Sequence, residues 1–269
     1  MVNVTSWLGI SGKTVVVTGG SSGIGKVIIS ELLSQNVNVI NLDIQGDDSP
    51  NEQLLFVKTD VTKREEVERA IKLGIDRFDT IDGVVNNAGI NIPRLLIDPK
   101  EPHGKYELSD ETFDKMIAIN EKGLYLVAQT VGRILVEKKA GVIINMSSEC
   151  GLEGSEGQSC YAATKAAVNG FTRSWAKELG KYNVRVVGIA PGIMEETGLR
   201  TLEYETALSY TRGITVEKLR AGYVNSSATP LGRSGKLSEV ADLVCFYLSD
   251  RASYITGVTT NAAGGKTRG

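Results

Sequence analysis

Histidine and cysteine are nearly absent: His103 is the only histidine in 269 residues, and Cys150, Cys160 and Cys245 are the only cysteines. Zinc sites are built from several of these side chains, so no metal centre is expected. Three cysteines, an odd number, make no disulfide framework and fit a reducing compartment. No apolar run approaches the roughly 18 residues of a spanning helix. Met1–Ile10 has neither the charged start nor the apolar stretch of a signal peptide. The expectation is a cytoplasmic protein without a membrane partner, in which the sequons at Asn3, Asn145 and Asn225 are coincidental. Charge of one sign is lacking too. With 30 basic and 32 acidic side chains the net charge is -2, so no overall field draws the chain onto nucleic acid. Any anion it binds must be held locally.

What is present is ordinary globular composition, 41% hydrophobic and 23% charged, enough to fill a core and incompatible with disorder. Short β-branched runs alternate with longer helical patterns. Thr14–Val17 is followed by a helix from about Gly23, then come Val37–Leu42, Leu54–Val57, a charged helix near Lys63–Arg77, and a strand over Ile81–Asn86. A long helix is expected near Asp110–Lys138, then a strand at Val142–Asn145, a helix near Ser159–Tyr182 and a strand at Val184–Ile189. Near-continuous apolar strands point to burial on both faces, hence a doubly wound parallel sheet of about seven strands with helices on each side. One Rossmann-type α/β domain is expected over 1–269. Two stretches break the rhythm, the polar insertion at about 91–109 and the excursion at about 192–235. Both follow strand carboxyl ends, where open α/β sheets place their ligands.

The first βα turn, Thr18-Gly19-Gly20-Ser21-Ser22-Gly23-Ile24-Gly25, directly follows a strand and opens a helix. Glycine lets such a turn approach a pyrophosphate, and the helix start supplies N–H donors and positive dipole. A tight turn without a ligand fits the same glycines. Asp43 ends the second strand, where a carboxylate accepts hydrogen bonds from an adenosine ribose, or else caps a helix. No Arg or Lys neighbours Asp43 in sequence or lies in the turn, so a 2′-phosphate would meet an unpaired carboxylate. This favours NAD over NADP.

Tyr161 and Lys165 are at i and i+4, on one face of the expected helix. A phenol of pKa near 10 is a poor base at neutral pH, and a cation beside it shifts it toward ionisation. Ser148, at a strand end, would hydrogen-bond the same substrate oxygen. On spacing alone, a surface Tyr/Lys pair and a strand-end serine account equally well for these residues.

Taken together, these motifs resemble the short-chain dehydrogenase/reductase family from about Lys13 to Gly264. The resemblance rests on Gly19, Gly23 and Gly25, Asp60-Val61, Asn86-Asn87-Ala88-Gly89, Asn120, Ser148, Tyr161, Lys165 and Pro191-Gly192, in that order. It implies Tyr161 as general acid/base, Ser148 as substrate-orienting group, Lys165 at the nicotinamide ribose and Asn120 anchoring a water of a proton relay. It further implies cofactor contacts from the glycine turn with Ser21, Ser22 and Ile24, from Asp43, Asp60 and Val61, from Asn87, Ala88 and Gly89, and from Pro191, Gly192 and Ile193. One departure stands out: the threonine expected just after Pro-Gly appears only at Thr197, behind Glu195 and Glu196.

Within the family, residues 147–159, 192–204 and 264–269 look like a subgroup of sugar-fermenting bacteria that acts on a polyol phosphate. That implies NAD-dependent interconversion of sorbitol 6-phosphate and fructose 6-phosphate. A polyol phosphate needs polar groups for hydroxyls and cations for a dianion. Arg94, Glu149, Glu156 and Arg200 are the substrate candidates, with Lys100, His103, Lys105 and Arg212 as further loop cations; each also reads as a solvated surface charge. An unphosphorylated polyol, a 3-oxoacyl thioester, or a non-catalytic NAD sensor remain open as alternatives. Small residues between Ala162 and Trp175 fit close packing, by resemblance against another subunit of a homodimer or homotetramer.

Overall fold

The computed structural model describes residues 7–46, 51–198, 200–225 and 229–267. The Asn3 sequon, Leu199 and the closing Arg268–Gly269 lie outside these, as do the side chain of Asn225 and the rest of its sequon. Seven parallel strands form one sheet: β1 (Thr14–Thr18), β2 (Asn38–Asp43), β3 (Leu54–Lys58), β4 (Gly83–Asn86), β5 (Gly141–Met146), β6 (Val184–Pro191) and β7 (Thr259–Ala262), in the order β3-β2-β1-β4-β5-β6-β7. The order reverses between β1 and β4, and the carboxyl ends of those strands open a crevice there.

Alternation along each strand divides the core. Val15 and Val17 of β1 point to one face, where they join Ile28 and Leu32 of α1 (Gly23–Ser34) and Val240 and Val244 of α9 (Leu237–Leu248). Val16 points to the other, with Val67 and Ile71 of α2 (Arg64–Phe78) and Val131 and Leu135 of α4 (Leu124–Lys138). Burying each such aliphatic side chain contributes about 1.5–3 kcal/mol. β7 reads Thr-Thr-Asn-Ala and is half-buried at the sheet edge, which is why no apolar run announces it.

Two expectations about helices need correction. The helix read as continuous over Asp110–Lys138 is α3 (Asp110–Ile117), a π-helical turn over Ala118–Gly123, then α4. The widened turn contains Asn120, whose buried side chain bonds to Ile90 and Thr164, an insertion that no 3.6-residue pattern reveals. The helix read as reaching Tyr182 ends as α6 (Ser159–Leu179), followed by one 3₁₀ turn. A short turn, α5 (Cys150–Glu153), precedes α6, and the 192–235 excursion contains α7 (Leu202–Thr211) and α8 (Val216–Asn225). Among the described residues no helix is long and apolar enough to cross a membrane.

Candidate active site

The glycine turn is fixed by main-chain proximity. Gly19 has φ +65°, and a Cβ there would lie 2.9 Å from the Cα of Ala88. A Cβ on Gly25 would lie 2.1 Å from the Gly19 carbonyl oxygen and 2.6 Å from Asn87 Nδ2. No side chain fits at either place. The Asn87 amide donates to the carbonyls of Thr18 and Gly19, both at 3.0 Å, while Thr18 Oγ1 accepts from the N–H groups of Asn87 and Ala88. Ser22 precedes α1 without a side-chain capping bond, which leaves the first-turn N–H groups of α1 to a ligand.

Asp43 Oδ2 accepts from the N–H of Ser21 at 3.0 Å, bringing the carboxylate from β2 to the rim of the turn. Lys58, remote in sequence, is its cross-strand register partner. Lys58 lines a groove with Arg69 and Arg77, and no Asp43–Lys58 ion pair is present among the described residues. Thr197 reaches the same turn: a Cβ on Gly23 would lie 3.4 Å from Thr197 Cβ. The delayed threonine thus arrives at the glycines despite the two intervening glutamates. Glu195 folds away, accepting from the N–H of Leu237 at 2.8 Å.

At the end of β5, Lys165 Nζ donates to the Met146 carbonyl at 2.7 Å and lies 5.7 Å from the centroid of the Tyr161 ring. Ser148 Oγ accepts from the N–H of Cys150 at 3.3 Å and shares the cavity wall with Tyr161. Burial pushes the Tyr161 phenol above its ordinary value, reinforced by Cys150 and opposed by the Ser148 hydroxyl. Burial also lowers Lys165 to about 8. For both groups desolvation is the largest influence, and it disfavours the phenolate and the ammonium alike. Asn120 completes the group from the π turn, its Oδ1 accepting from Ile90 N at 2.9 Å and its Nδ2 donating to Ile90 O at 2.9 Å and Thr164 Oγ1 at 3.1 Å. That clamps the loop after β4 against α6.

These groups line one cavity of about 770 Å³. It runs from the glycine turn, Asp43, Asp60 and Val61 past Asn87–Gly89 to Ser148, Tyr161 and Lys165, with Pro191–Ile193 on one wall. Ser21, Gly25 and Asn120 support the cavity from just behind its lining. Of the substrate candidates, Glu149 and Arg200 line the cavity, whereas Arg94 and Glu156 do not. Arg94 turns its guanidinium to the Pro93 carbonyl and the Tyr106 ring, and Glu156 is exposed. His103 is exposed beside Glu107, outside the cavity.

Among the lining residues of the substrate end it is the pairing that the sequence does not show. Lys266 bridges Glu149 and Glu153 at 2.6 and 3.1 Å. Gln158 Nε2 donates to the Tyr204 hydroxyl at 3.2 Å, and Arg212 donates to Ser155 Oγ at 3.1 Å and Gln158 Oε1 at 3.4 Å. Arg200 lies 4.0 Å over the Tyr223 ring. Most of these pairs join segments about 45 or more positions apart, so the sequence shows the residues without their pairing; Arg200 and Tyr223 both belong to the 192–235 excursion. The 91–109 insertion supports this wall: Tyr210 of α7 donates to buried Asp98 at 2.7 Å and stacks on Tyr106 with centroids 4.2 Å apart.

Comparison with known proteins adds three findings. Residues 13–208 match the short chain dehydrogenase family. The chain is 60% identical over 268 residues to a sorbitol-6-phosphate 2-dehydrogenase of Klebsiella pneumoniae, covering 99% of this chain and 100% of that one, and 34% identical to a 3-oxoacyl-[acyl-carrier-protein] reductase of Thermotoga maritima, covering 95% and 98%. Among solved structures, a 3-ketoacyl-(acyl-carrier-protein) reductase from Brucella melitensis complexed with NADH superposes with a TM-score of 0.80 at 26% identity, over 96% of this chain and 100% of that one.

Proposed function

Because this chain belongs to the short-chain dehydrogenase family, we propose that it is the NAD-dependent oxidoreductase that interconverts sorbitol 6-phosphate and fructose 6-phosphate. Its oxidoreductase class follows from the family. The observation that carries the substrate is the near full-length identity to the Klebsiella sorbitol-6-phosphate 2-dehydrogenase. Physical support comes from the wall facing Tyr161: arginines, tyrosines and carboxylates suit hydroxyls and a phosphate, whereas an acyl chain needs an apolar wall.

The residues present fit a dinucleotide. Gly19 and Gly25 leave no room for side chains where a pyrophosphate must approach, and the first N–H groups of α1 face it. Asp43 takes the adenosine ribose, Asp60 and Val61 the adenine, and Asn87–Gly89 with Pro191–Ile193 flank the nicotinamide end. The Asp43 carboxylate, which makes no ion pair among the described residues, disfavours a 2′-phosphate, which is the basis for NAD rather than NADP. When bound, the nicotinamide gives or takes the hydride at C2 of the sugar.

The chain's own groups handle the proton. In ketose reduction the Tyr161 phenol donates to the C2 oxygen, and its burial keeps it protonated for that role. Ser148, on the same cavity wall as Tyr161, donates to the same oxygen as negative charge develops on it. Lys165, anchored on Met146, presents its ammonium beside the phenol and the cofactor ribose. Asn120 holds the loop after β4 so that Gly89 stays against Lys165 and helps order a relay water. Arg200 and Glu149 offer charge to the substrate. The excursions at 91–109 and 192–235 form its binding wall within one catalytic domain. Exposed Ala163 and Ala166 and the open space at Gly170 on α6 suit close subunit packing in a cytoplasmic homotetramer or homodimer.

Initial rates of NADH loss with fructose 6-phosphate, fructose and an acetoacetyl thioester, repeated with NADPH, test this reading. Strong preference for the phosphorylated ketose with NADH is expected. Faster turnover of the thioester, or preference for NADPH, would overturn it, and NADH binding without turnover would favour a sensor.

A further inference from the structure

The cations around the substrate end of the cavity are of two kinds. Lys266 is neutralised by Glu149 and Glu153. Arg200 shares buried Glu205 with Arg220, which makes two bonds of 2.9 and 2.7 Å to the same carboxylate oxygen. Arg212 differs. It is half-buried, and its terminal nitrogen is held by neutral acceptors, Ser155 Oγ and Gln158 Oε1, with no carboxylate in ion-pair reach among the described residues. A partly desolvated guanidinium without a counter-ion is unfavourable unless an anion arrives. Two side chains fix one nitrogen, so the remaining N–H groups are pre-oriented toward a ligand.

Its place relative to the reacting centre suits a sugar phosphate. Gln158 immediately precedes α6 and is buried, and Tyr161 follows three positions later, about one helical turn on. Ser155 Oγ donates to Gln158 Oε1 at 2.6 Å, and Gln158 Nε2 donates to the Tyr204 hydroxyl. The chain Ser155–Gln158–Tyr204 thus ties the position of Arg212 to the helix that carries the proton donor. Lys218 lines the same end of the cavity and also has no carboxylate partner among the described residues.

We propose that Arg212, seated by Ser155 and Gln158, binds the phosphate of the substrate as a dianion, with Arg200 and Lys218 adding positive charge at the same end. This assignment rests on the sugar-phosphate reading above and deepens it. Arg212 then sets the discrimination between phosphorylated and free ketose, because a planar fork takes two phosphate oxygens at once.

The test compares wild type with Arg212→Gln and Arg212→Lys. Expected for Arg212→Gln is a fall of about 10- to 100-fold in the ratio of kcat/KM for fructose 6-phosphate over fructose, carried by KM, with partial recovery in Arg212→Lys. The Kd for NADH, read by fluorescence titration, stays at the wild-type value, which separates the site from the cofactor phosphates. A second readout uses inorganic phosphate alone, which should raise the Tm of the NADH-bound wild type but not of Arg212→Gln. If wild type prefers fructose 6-phosphate and Arg212→Gln keeps that ratio, the assignment is overturned. If wild type shows no such preference yet phosphate raises Tm only when Arg212 is present, the anion site stands and the sugar-phosphate function falls. A phosphate-induced shift that is absent from wild type, or that survives in Arg212→Gln, overturns the anion site.

Discussion

The two ends of the cavity are built on different principles. At the cofactor end the determinants are main-chain contacts: Gly19 against the Cα of Ala88, and Gly25 against the Gly19 carbonyl, where a Cβ would come within 2.1 Å. Sterics there admit few residues. At the substrate end the wall is a web of side chains from Ser155, Gln158, Tyr204, Arg212 and Lys266, held by hydrogen bonds between side chains. Changing one of these removes a bond and leaves the backbone where it was. The contrast explains how one scaffold keeps its cofactor while its relatives act on an acyl thioester or on a sugar phosphate.

The sharpest way to break this contrast is at the point where the two ends meet. Tyr161→Phe removes the proposed proton donor but not the ring, so kcat should fall about 10²- to 10⁴-fold while NADH Kd is unchanged. Steady-state rates beside a fluorescence titration decide it, and a retained kcat would remove Tyr161 from the chemistry. Next in size is Asp43→Asn, which keeps the shape of the Ser21 contact and removes the charge that opposes a 2′-phosphate. The NADH/NADPH preference in kcat/KM should move about 10- to 100-fold toward NADPH. If it does not move, discrimination lies outside Asp43.

A third prediction concerns pH. Burial holds Lys165 at about 8, so kcat/KM for NADH should decline about tenfold per pH unit above that as the ammonium is lost. Lys165→Met should lack this limb. The sign for stability is opposite. Below about 8 the folded protein carries a buried ammonium that the unfolded chain, with its lysine near 10.4, solvates better. Between the two values the unfolded state holds more protons, so stability should rise with pH across that window. Urea titrations of wild type and Lys165→Met across that range measure the difference.

How far the sequence could be read follows the same division. Glycine spacing after a β-branched run, and Tyr161 four residues before Lys165, are local patterns, and local geometry sets their meaning. Thr14–Thr18 and Val184–Pro191 were legible because both faces of these strands are apolar. Thr259–Ala262 was not, since a half-buried edge strand needs no apolar run. The π turn at Asn120 was invisible because the side chain's partners, Ile90 and Thr164, are 30 and 44 positions away. Lys266 and Glu149 are 117 positions apart, and only the fold makes them partners. Charge by itself could not rank the loop cations, because paired and unpaired arginines look alike in one dimension.

The smallest expected effect distinguishes a wall-forming cation from a ligand-binding one. Lys266 faces the cavity, yet its charge is already matched by Glu149, whose side chain is 10% exposed, and by Glu153. Lys266→Met would leave Glu149 with Thr267 Oγ1 at 3.3 Å as its remaining side-chain donor. The stem is preserved and residual water access limits the loss, so the expected cost is about 1 kcal/mol. For a domain of this size that corresponds to a fall in Tm of about 2–4 °C, measurable by thermal unfolding. The ratio of rates on fructose 6-phosphate and fructose should not follow Tm, in contrast to Arg212→Gln. Should that ratio collapse in Lys266→Met instead, the anion would belong beside Glu149, and the separation of paired from unpaired cations would fail as a guide to the substrate end.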